Sequence, residues 1–272
     1  MVVSPTALLV AVLAAVLFGR GFRRLRARRP AYAGWNRALL FGLALAAGLL
    51  AMSAPIDDRA EESLSAHMLQ HVLLGDVVPA LALVAVRGPL LFFAVPEFLL
   101  RAVSRSPRAR GALSALTRPL VAFGAWVGML TLWHVPVIYD ATLSSAPLHV
   151  LEHAAFLVAG TLAWIQVVDP TRRGALGTVG RLAFVLAMFV AGQMLATTLV
   201  LAQSPLYAPY AGAGGHVFGM SALADQDAAG LVMMIEQALA LGIAAAFLVR
   251  RHLDESGRSA TTMEAPAHPF AA

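Results

Sequence analysis

The sequence predicts an all-α, polytopic membrane protein: a bundle of seven transmembrane helices with the N-terminus outside and the C-terminus inside. Three observations carry this reading. Of 272 residues, 59% are hydrophobic and 13% charged, with a mean hydropathy of +0.75, whereas soluble domains run near ~45–50% apolar and ~25% charged. The apolar residues gather in runs close to the ~20 residues that a helix needs to cross a bilayer core. The basic residues, all arginine, alternate from one loop to the next.

The seven expected spans are Pro5–Phe22, Asn36–Pro55, Ser65–Val86, Arg118–Tyr139, Pro147–Val168, Val179–Leu201 and Ala229–Val249. No arginine precedes the first run and seven follow it, from Arg20 to Arg37. A signal peptide has the reverse order, so this run is expected to be a mature helix. The segment Leu90–Leu100 is short and holds Pro96 and Glu97, which suits an interfacial piece better than a span. Residues 1–252 then form one transmembrane domain, and residues 253–272 are expected to be a disordered cytoplasmic tail.

Cytoplasmic loops are enriched in basic residues. Of the 20 basic residues, 19 fall in the three alternate loops and the tail that share one side; Arg59 alone lies on the other. The opposite loops carry Asp57, Asp58, Glu61, Glu62, Asp140, Asp225 and Asp227. The net charge of +5 and pI of about 10.6 therefore reflect membrane topology, with the lipid bilayer as partner and no nucleic acid. With no cysteine in the chain, disulfides, thiolate metal sites and cysteine nucleophiles are all excluded. A metal here falls to His, Asp, Glu or Met.

Topology turns the histidines into a location. The third span opens with His67 and His71, the fourth ends at Trp133-His134, and the fifth opens with His149, Glu152 and His153. Five imidazoles from three helices thus share one level near the outer surface. Residues i and i+4 lie about 40° apart around a helix and ~6 Å apart along it. Each H-x-x-x-H pair therefore offers two imidazoles on one face at metal-sharing distance. A lone interfacial histidine is usually a hydrogen-bonded structural residue; two such pairs plus a third helix's histidine argue for a site.

Several residues are expected in support. Met68 and Gln70 stand beside the first pair. Met194 and Met233 are the better thioether candidates among the outer methionines, since thioether sulfur suits Cu(I) while imidazole suits Cu, Zn, Fe and Ni. Asp140 is placed to orient an imidazole. Asp225-Gln226 precedes the last span and fits a cap, Asp76 fits either a partner of another span or a buried neutral carboxyl, and Glu236 and Gln193 fit interhelical hydrogen bonds.

Three readings follow. One is a copper-handling protein without catalysis, holding Cu+ or Cu2+ and passing it to a client. The second is a membrane zinc hydrolase: His149-x-x-Glu152-His153 matches the H-x-x-E-H pattern in which glutamate is the general base, and Ser63-x-x-x-His67 resembles the spacing of seven-span zinc amidases. The third is a b-type haem protein using one histidine from each of two helices, which leaves the doubled pairs unexplained.

The run Ser65-Ala-His67-Met68-Leu-Gln70-His71-Val-Leu-Leu74, followed by Pro79 and Arg87-Gly88-Pro89, resembles the signature of CtaG-type cytochrome c oxidase assembly factors, the integral membrane proteins associated with caa-type oxidases. Trp133-His134-x-Pro136-x-x-Tyr139-Asp140, His149-x-x-Glu152-His153, and Asp225-Gln226 with Gly230 and Met233 resemble its further motifs. The resemblance spans about residues 36–250. It implies a chaperone-like role in maturing a haem–copper oxidase of the respiratory chain in a bacterial cell membrane, with copper delivered to an oxidase subunit as client and no enzymatic activity. It implies His67, His71, His134, His149 and His153 as ligands, with Glu152, Asp140 and Asp225 as supporting groups. Two positions depart from the family pattern: Met233-Met234 replaces Met-Trp, and Asp76 stands where an apolar residue is expected.

Overall fold

The structure is a computed structural model that describes residues 4–212 and 219–264, with side chains through Gly257 at the C-terminal end. Among these residues it is all helical, with no strand. The helices are α1 (Pro5–Arg28), α2 (Trp35–Ala51), α3 (Ala54–Ala60), α4 (Leu64–Val72), α5 (Val78–Val86), α6 (Pro89–Ala94), α7 (Glu97–Arg105), α8 (Pro107–Leu116), α9 (Pro119–Trp133), α10 (Pro136–Ser144), α11 (Ala146–Val168), α12 (Thr178–Leu201) and α13 (Ala222–Glu264). Six described segments are long and apolar enough to cross a bilayer, or seven if α8 and α9, bent by 64° at Thr117–Arg118, count as one span.

The central span is α4 and α5, joined through a π-helical turn at Leu73–Val77. Its cause lies in Pro79, which has no N–H and whose ring crowds the carbonyl four residues back, that of Gly75. The chain relaxes by widening, and Val78 N–H bonds Leu73 O across five residues. The Gly75 carbonyl then faces α11, where only a glycine fits: a Cβ on Gly160 would stand 1.8 Å from that oxygen. Trp164, one turn on, donates from Nε1 to Asp76 Oδ1 at 2.8 Å, so of the two settings expected for Asp76 it takes that of a partner of another span. The π turn thereby docks α11 against the central span.

Around this pair, α2 packs on α5, α13 on α4, α9 on α11, and α12 along α13. A cluster including Trp126, Trp133, Tyr139, Phe156 and Trp164 forms the main core. Helix α1 packs on α6 and α2 through its own small core of Phe18, Phe22 and Leu25, and turns Leu9, Val10 and Leu13 outward. The segment expected to be interfacial folds as the short helices α6 and α7, neither long enough to span.

Three expectations change. The fourth span does not run unbroken to Tyr139: α9 stops at Trp133, because Pro136 disfavours helical backbone before it and starts α10 instead. At 15 residues, ~22 Å of rise, α9 alone is shorter than a full span. The last helix starts at Ala222, seven residues before the expected Ala229. It also continues past Leu253 to Glu264, supported by an Arg251–Glu255 pair at 2.7 Å and by Thr178 Oγ1 donating to Glu255 at 2.9 Å. The stretch 253–264 is therefore helical, and residues 265–272 of the expected tail lie outside the described residues.

The bundle has two distinct polar ends. At one end meet the start of α2, the end of α5, the end of α11 and the start of α12, with Arg37, Arg87, Arg172 and Arg181. At the other meet the starts of α4 and α11 and the end of α9, with the histidines.

Candidate metal centre

His67 and His71 lie on the first two turns of α4, His149, Glu152 and His153 on the first two turns of α11, and His134 caps the C-terminus of α9. The structure brings all five imidazoles together. Ring centroids are 4.4 Å apart for His67–His71, 4.3 Å for His149–His153, 5.1 Å for His67–His149, 5.8 Å for His71–His153 and 6.4 Å for His71–His134. All are buried except His149, which is half-buried and forms the accessible rim.

Glu152 sits at the centre. Its Oε2 is 3.5 Å from His67 Nε2, and its Oε1 is 3.5 Å from His71 Nε2. Among the described residues, neither carboxylate oxygen has a hydrogen-bond partner, and neither do His67 Nε2, both nitrogens of His71, His149 Nε2 or His153 Nε2. Buried polar atoms are ordinarily paired, so this concentration calls for a missing partner.

Hydrogen-bond logic assigns the His67 tautomer. Burial pushes the Tyr210 phenol above the ordinary tyrosine range, so it keeps its proton. It donates that proton to Ala60 O at 2.6 Å. His67 Nδ1, 3.0 Å from the same hydroxyl, must therefore be the donor, and a neutral His67 points the lone pair of Nε2 at a carboxylate. Acceptor faces acceptor across 3.5 Å, and only a proton or a cation relieves that. One proton would satisfy a single gap. A metal ion coordinates several of these atoms at once.

The donor atoms of His67, His149 and His153 all lie within 4.8 Å of one another, as do those of His67, His71 and Glu152. Ligands held at about 2.0–2.2 Å from one ion are at most ~4.4 Å apart, so small side-chain rotations would close either triad around an ion. His134 repeats the logic beside the cluster: Nδ1 donates to Leu130 O at 2.7 Å, which leaves the Nε2 lone pair 3.4 Å from Met68 Sδ. Nitrogen and thioether sulfur, both acceptors, again meet.

The supporting residues sort differently from their expectations. Glu152 lies between the two α4 imidazoles rather than at the edge of the cluster. Met68 is fully buried beside His134. Asp225 reaches from α13 to cap α4: it accepts from Leu64 N at 2.7 Å, Ser65 N at 3.3 Å, Ser63 Oγ at 2.8 Å and Ser65 Oγ at 2.5 Å. It thus holds the histidine helix in register, and it caps a neighbour rather than its own helix. Ser63 Oγ is drawn into that cap, so it is not aligned with His67 as a nucleophile would be. Asp140 Oδ1 is buried without a partner among the described residues, and none of the five clustered imidazoles bonds to it. Met233 is buried in the main hydrophobic core. Met194 is a correction: α12 turns it outward, 67% exposed, and it does not join the cluster. Gln193 makes its expected interhelical bond, to Met234 O at 3.2 Å, whereas both Glu236 oxygens are buried without a partner. His216 and His268 lie outside the described residues.

Sequence reasoning missed Tyr210, and it named Gln70 and Gln226 without their partners. Tyr210 fixes the His67 tautomer. Gln70 Nε2 donates to Ala51 O and Asp57 Oδ1, both at 2.8 Å, tying α4 to α2 and α3. Gln226 accepts from Leu206 N at 2.7 Å and donates to Leu199 O at 3.1 Å, pinning the α12–α13 loop. Gln70 stands out as a polar residue inside a largely apolar run, and Gln226 lies between Asp225 and Asp227; for Tyr210 the loop gave no signal.

A bundle of apolar helices with a buried cage of imidazoles and one carboxylate at one end defines a multi-pass membrane protein with a candidate transition-metal site. The chain belongs to the family of cytochrome c oxidase caa3 assembly factors (Caa3_CtaG), which it matches over residues 16–255. No curated protein and no solved structure matches it.

Proposed function

We propose that this member of the caa3 assembly-factor family holds copper as cargo in the His67, His71, His149, Glu152 and His153 cage and hands it to a subunit of the oxidase. The observation that carries the reading is the pairing of His67 Nε2 and His71 Nε2 with the unpartnered oxygens of Glu152. Imidazole donors suit copper, and the Met68–His134 pair adds the soft sulfur that favours Cu(I). The family's role, assembly of a caa3-type cytochrome c oxidase, supplies the client.

Transfer proceeds by ligand exchange. The ion is bound while the imidazoles are deprotonated. His149, at the rim, is the first to be displaced by a client's side chain, and the buried donors follow one at a time. The histidine end faces the non-cytoplasmic side, a placement supported by the arginines at the opposite end.

The zinc-hydrolase and haem readings are weaker. The Ser63 hydroxyl is engaged by Asp225. Phe156 stacks on His71 at 4.0 Å, and Tyr139 lies 5.1 Å from His67, filling the flanks that a porphyrin would occupy.

The test is metal analysis of detergent-purified protein, combined with oxidase activity in cells carrying each variant. His71→Ala and His153→Ala are each expected to lose copper and to leave the oxidase without its copper, while the variant proteins remain folded. Stoichiometric copper in the double variant would overturn the assignment.

A further inference from the structure

The arginine-rich end adjoins a cavity of about 550 Å³ between α2, α5, α11 and α13. Its volume falls in the ~300–1,000 Å³ range of small-molecule sites. Its walls are aliphatic and aromatic, including Val84, Val167, Leu239, Ile243 and Phe247, with Arg87 and Arg181 at one extremity and Glu236 at the other. Val84, Leu239, Ile243 and Phe247 are all exposed on the outer face of the bundle, so the cavity opens sideways to where lipid chains lie. Along α13 it runs from Glu236 to Leu248, twelve residues on or ~18 Å at 1.5 Å per residue. That is a little over half of a ~30 Å hydrocarbon core, about the depth of one leaflet.

The mouth is positively charged beyond what its partners neutralise. Asp169 spends Oδ2 on Arg181 at 2.7 Å and Oδ1 on the N–H groups of Arg173 and Gly174. Arg37 Nη1 donates to the carbonyls of Ala85 and Arg87, and Arg87 Nε to that of Asp169 at 3.4 Å. The Arg172 guanidinium lies over Gly88, next to Arg87. Among the described residues, Arg37, Arg87 and Arg172 have no carboxylate partner. Burial first, and then the Arg172, Arg251 and Arg181 guanidiniums, hold Arg87 below the ordinary arginine range against the pull of Asp169. Like charges are crowded here, and an anion would relieve them.

We infer that this groove is a binding site for one anionic phospholipid, its phosphate at Arg87 and Arg172 and an acyl chain along α13 toward Glu236. The chemistry combines a basic pocket at a helix-bundle end with an apolar slot of leaflet depth; basic pockets between transmembrane helices are the usual seat of anionic headgroups. The site is separate from the histidine cage, at the opposite end of the same helices.

The test is native mass spectrometry of the full chain from mild detergent after incubation with vesicles of phosphatidylglycerol or phosphatidylcholine. The wild type should retain one phosphatidylglycerol at least tenfold over phosphatidylcholine. Arg87→Gln with Arg172→Gln, and separately Ala240→Phe in the slot, should each lower that retention at least tenfold. Arg108→Gln with Arg110→Gln, on α8, should leave it unchanged. Spin-labelled lipids on the wild type check the same selectivity without any variant: the immobilised fraction should be larger for phosphatidylglycerol. Equal retention of both lipids, wild-type retention in Ala240→Phe, or displacement of phosphatidylglycerol by millimolar inorganic phosphate would overturn the inference.

Discussion

The two ends of the bundle carry buried polar groups in opposite states of completion. At the arginine end, Asp169 ends α11 in a left-handed conformation (φ 48°), and its carboxylate is fully engaged by Arg181 and two backbone N–H groups. Gly88 N–H closes the same loop onto Pro170 O at 2.6 Å. At the histidine end, Glu152 is as deeply buried as Asp169, yet neither of its oxygens is hydrogen-bonded, and the nearest nitrogens stand at 3.5 Å. A completed network of this kind holds the fold together. An uncompleted one is tolerated because something else completes it, and it lowers the stability of the empty protein.

That contrast predicts opposite responses to neutralising the two carboxylates. The largest effect is expected from Asp169→Ala, which strands the buried Arg181 guanidinium. Breaking a buried pair in this way costs about 3–5 kcal/mol, so thermal unfolding should move down sharply while the surviving folded protein binds copper normally. Glu152→Gln should do the reverse. The amide can donate to a histidine nitrogen, so the metal-free protein should unfold at the same or a higher temperature, while copper affinity falls at least ~100-fold, the upper end for outer-shell changes. Equal destabilisation by both variants would erase the comparison.

Smaller effects sharpen it. Asp225→Ala removes the α4 cap from another helix, and cap losses cost about 0.5–2 kcal/mol. Copper affinity should fall with it, by ~10-fold, since the histidine helix loses its anchor; titration calorimetry in detergent would read this. Gly160→Ala overpacks against the Gly75 carbonyl and should cost about 1–3 kcal/mol with metal stoichiometry preserved. Met194→Leu, on the outward face, should change neither stability nor copper binding measurably.

The residues that were readable in the sequence owe it to short-range geometry. The two H-x-x-x-H pairs had to share helix faces, because helical periodicity fixes the angle between residues four apart. The loop arginines marked which ends of the spans lie together. Depth alone carries no azimuth, and Met194 shows the consequence: it is at the right end of α12 but on the outer face. Asp225 could not be assigned to α4, because its partners Leu64 and Ser65 lie 161 and 160 residues away and only tertiary packing joins them. Glu152 was placed in a supporting role because its spacing from His149 and His153 says nothing of the two α4 imidazoles it lies between. Pro136 did signal the break in the fourth span, yet the apolar run through it masked the signal.

The central claim is tested most directly by X-ray absorption at the copper edge on the loaded, detergent-purified chain. The account predicts nitrogen and oxygen scatterers near 2.0 Å with the outer-shell pattern of at least two imidazoles, and loss of that pattern in His67→Ala with His153→Ala. Copper bound with no imidazole pattern, or an unchanged spectrum in the double variant, would contradict it.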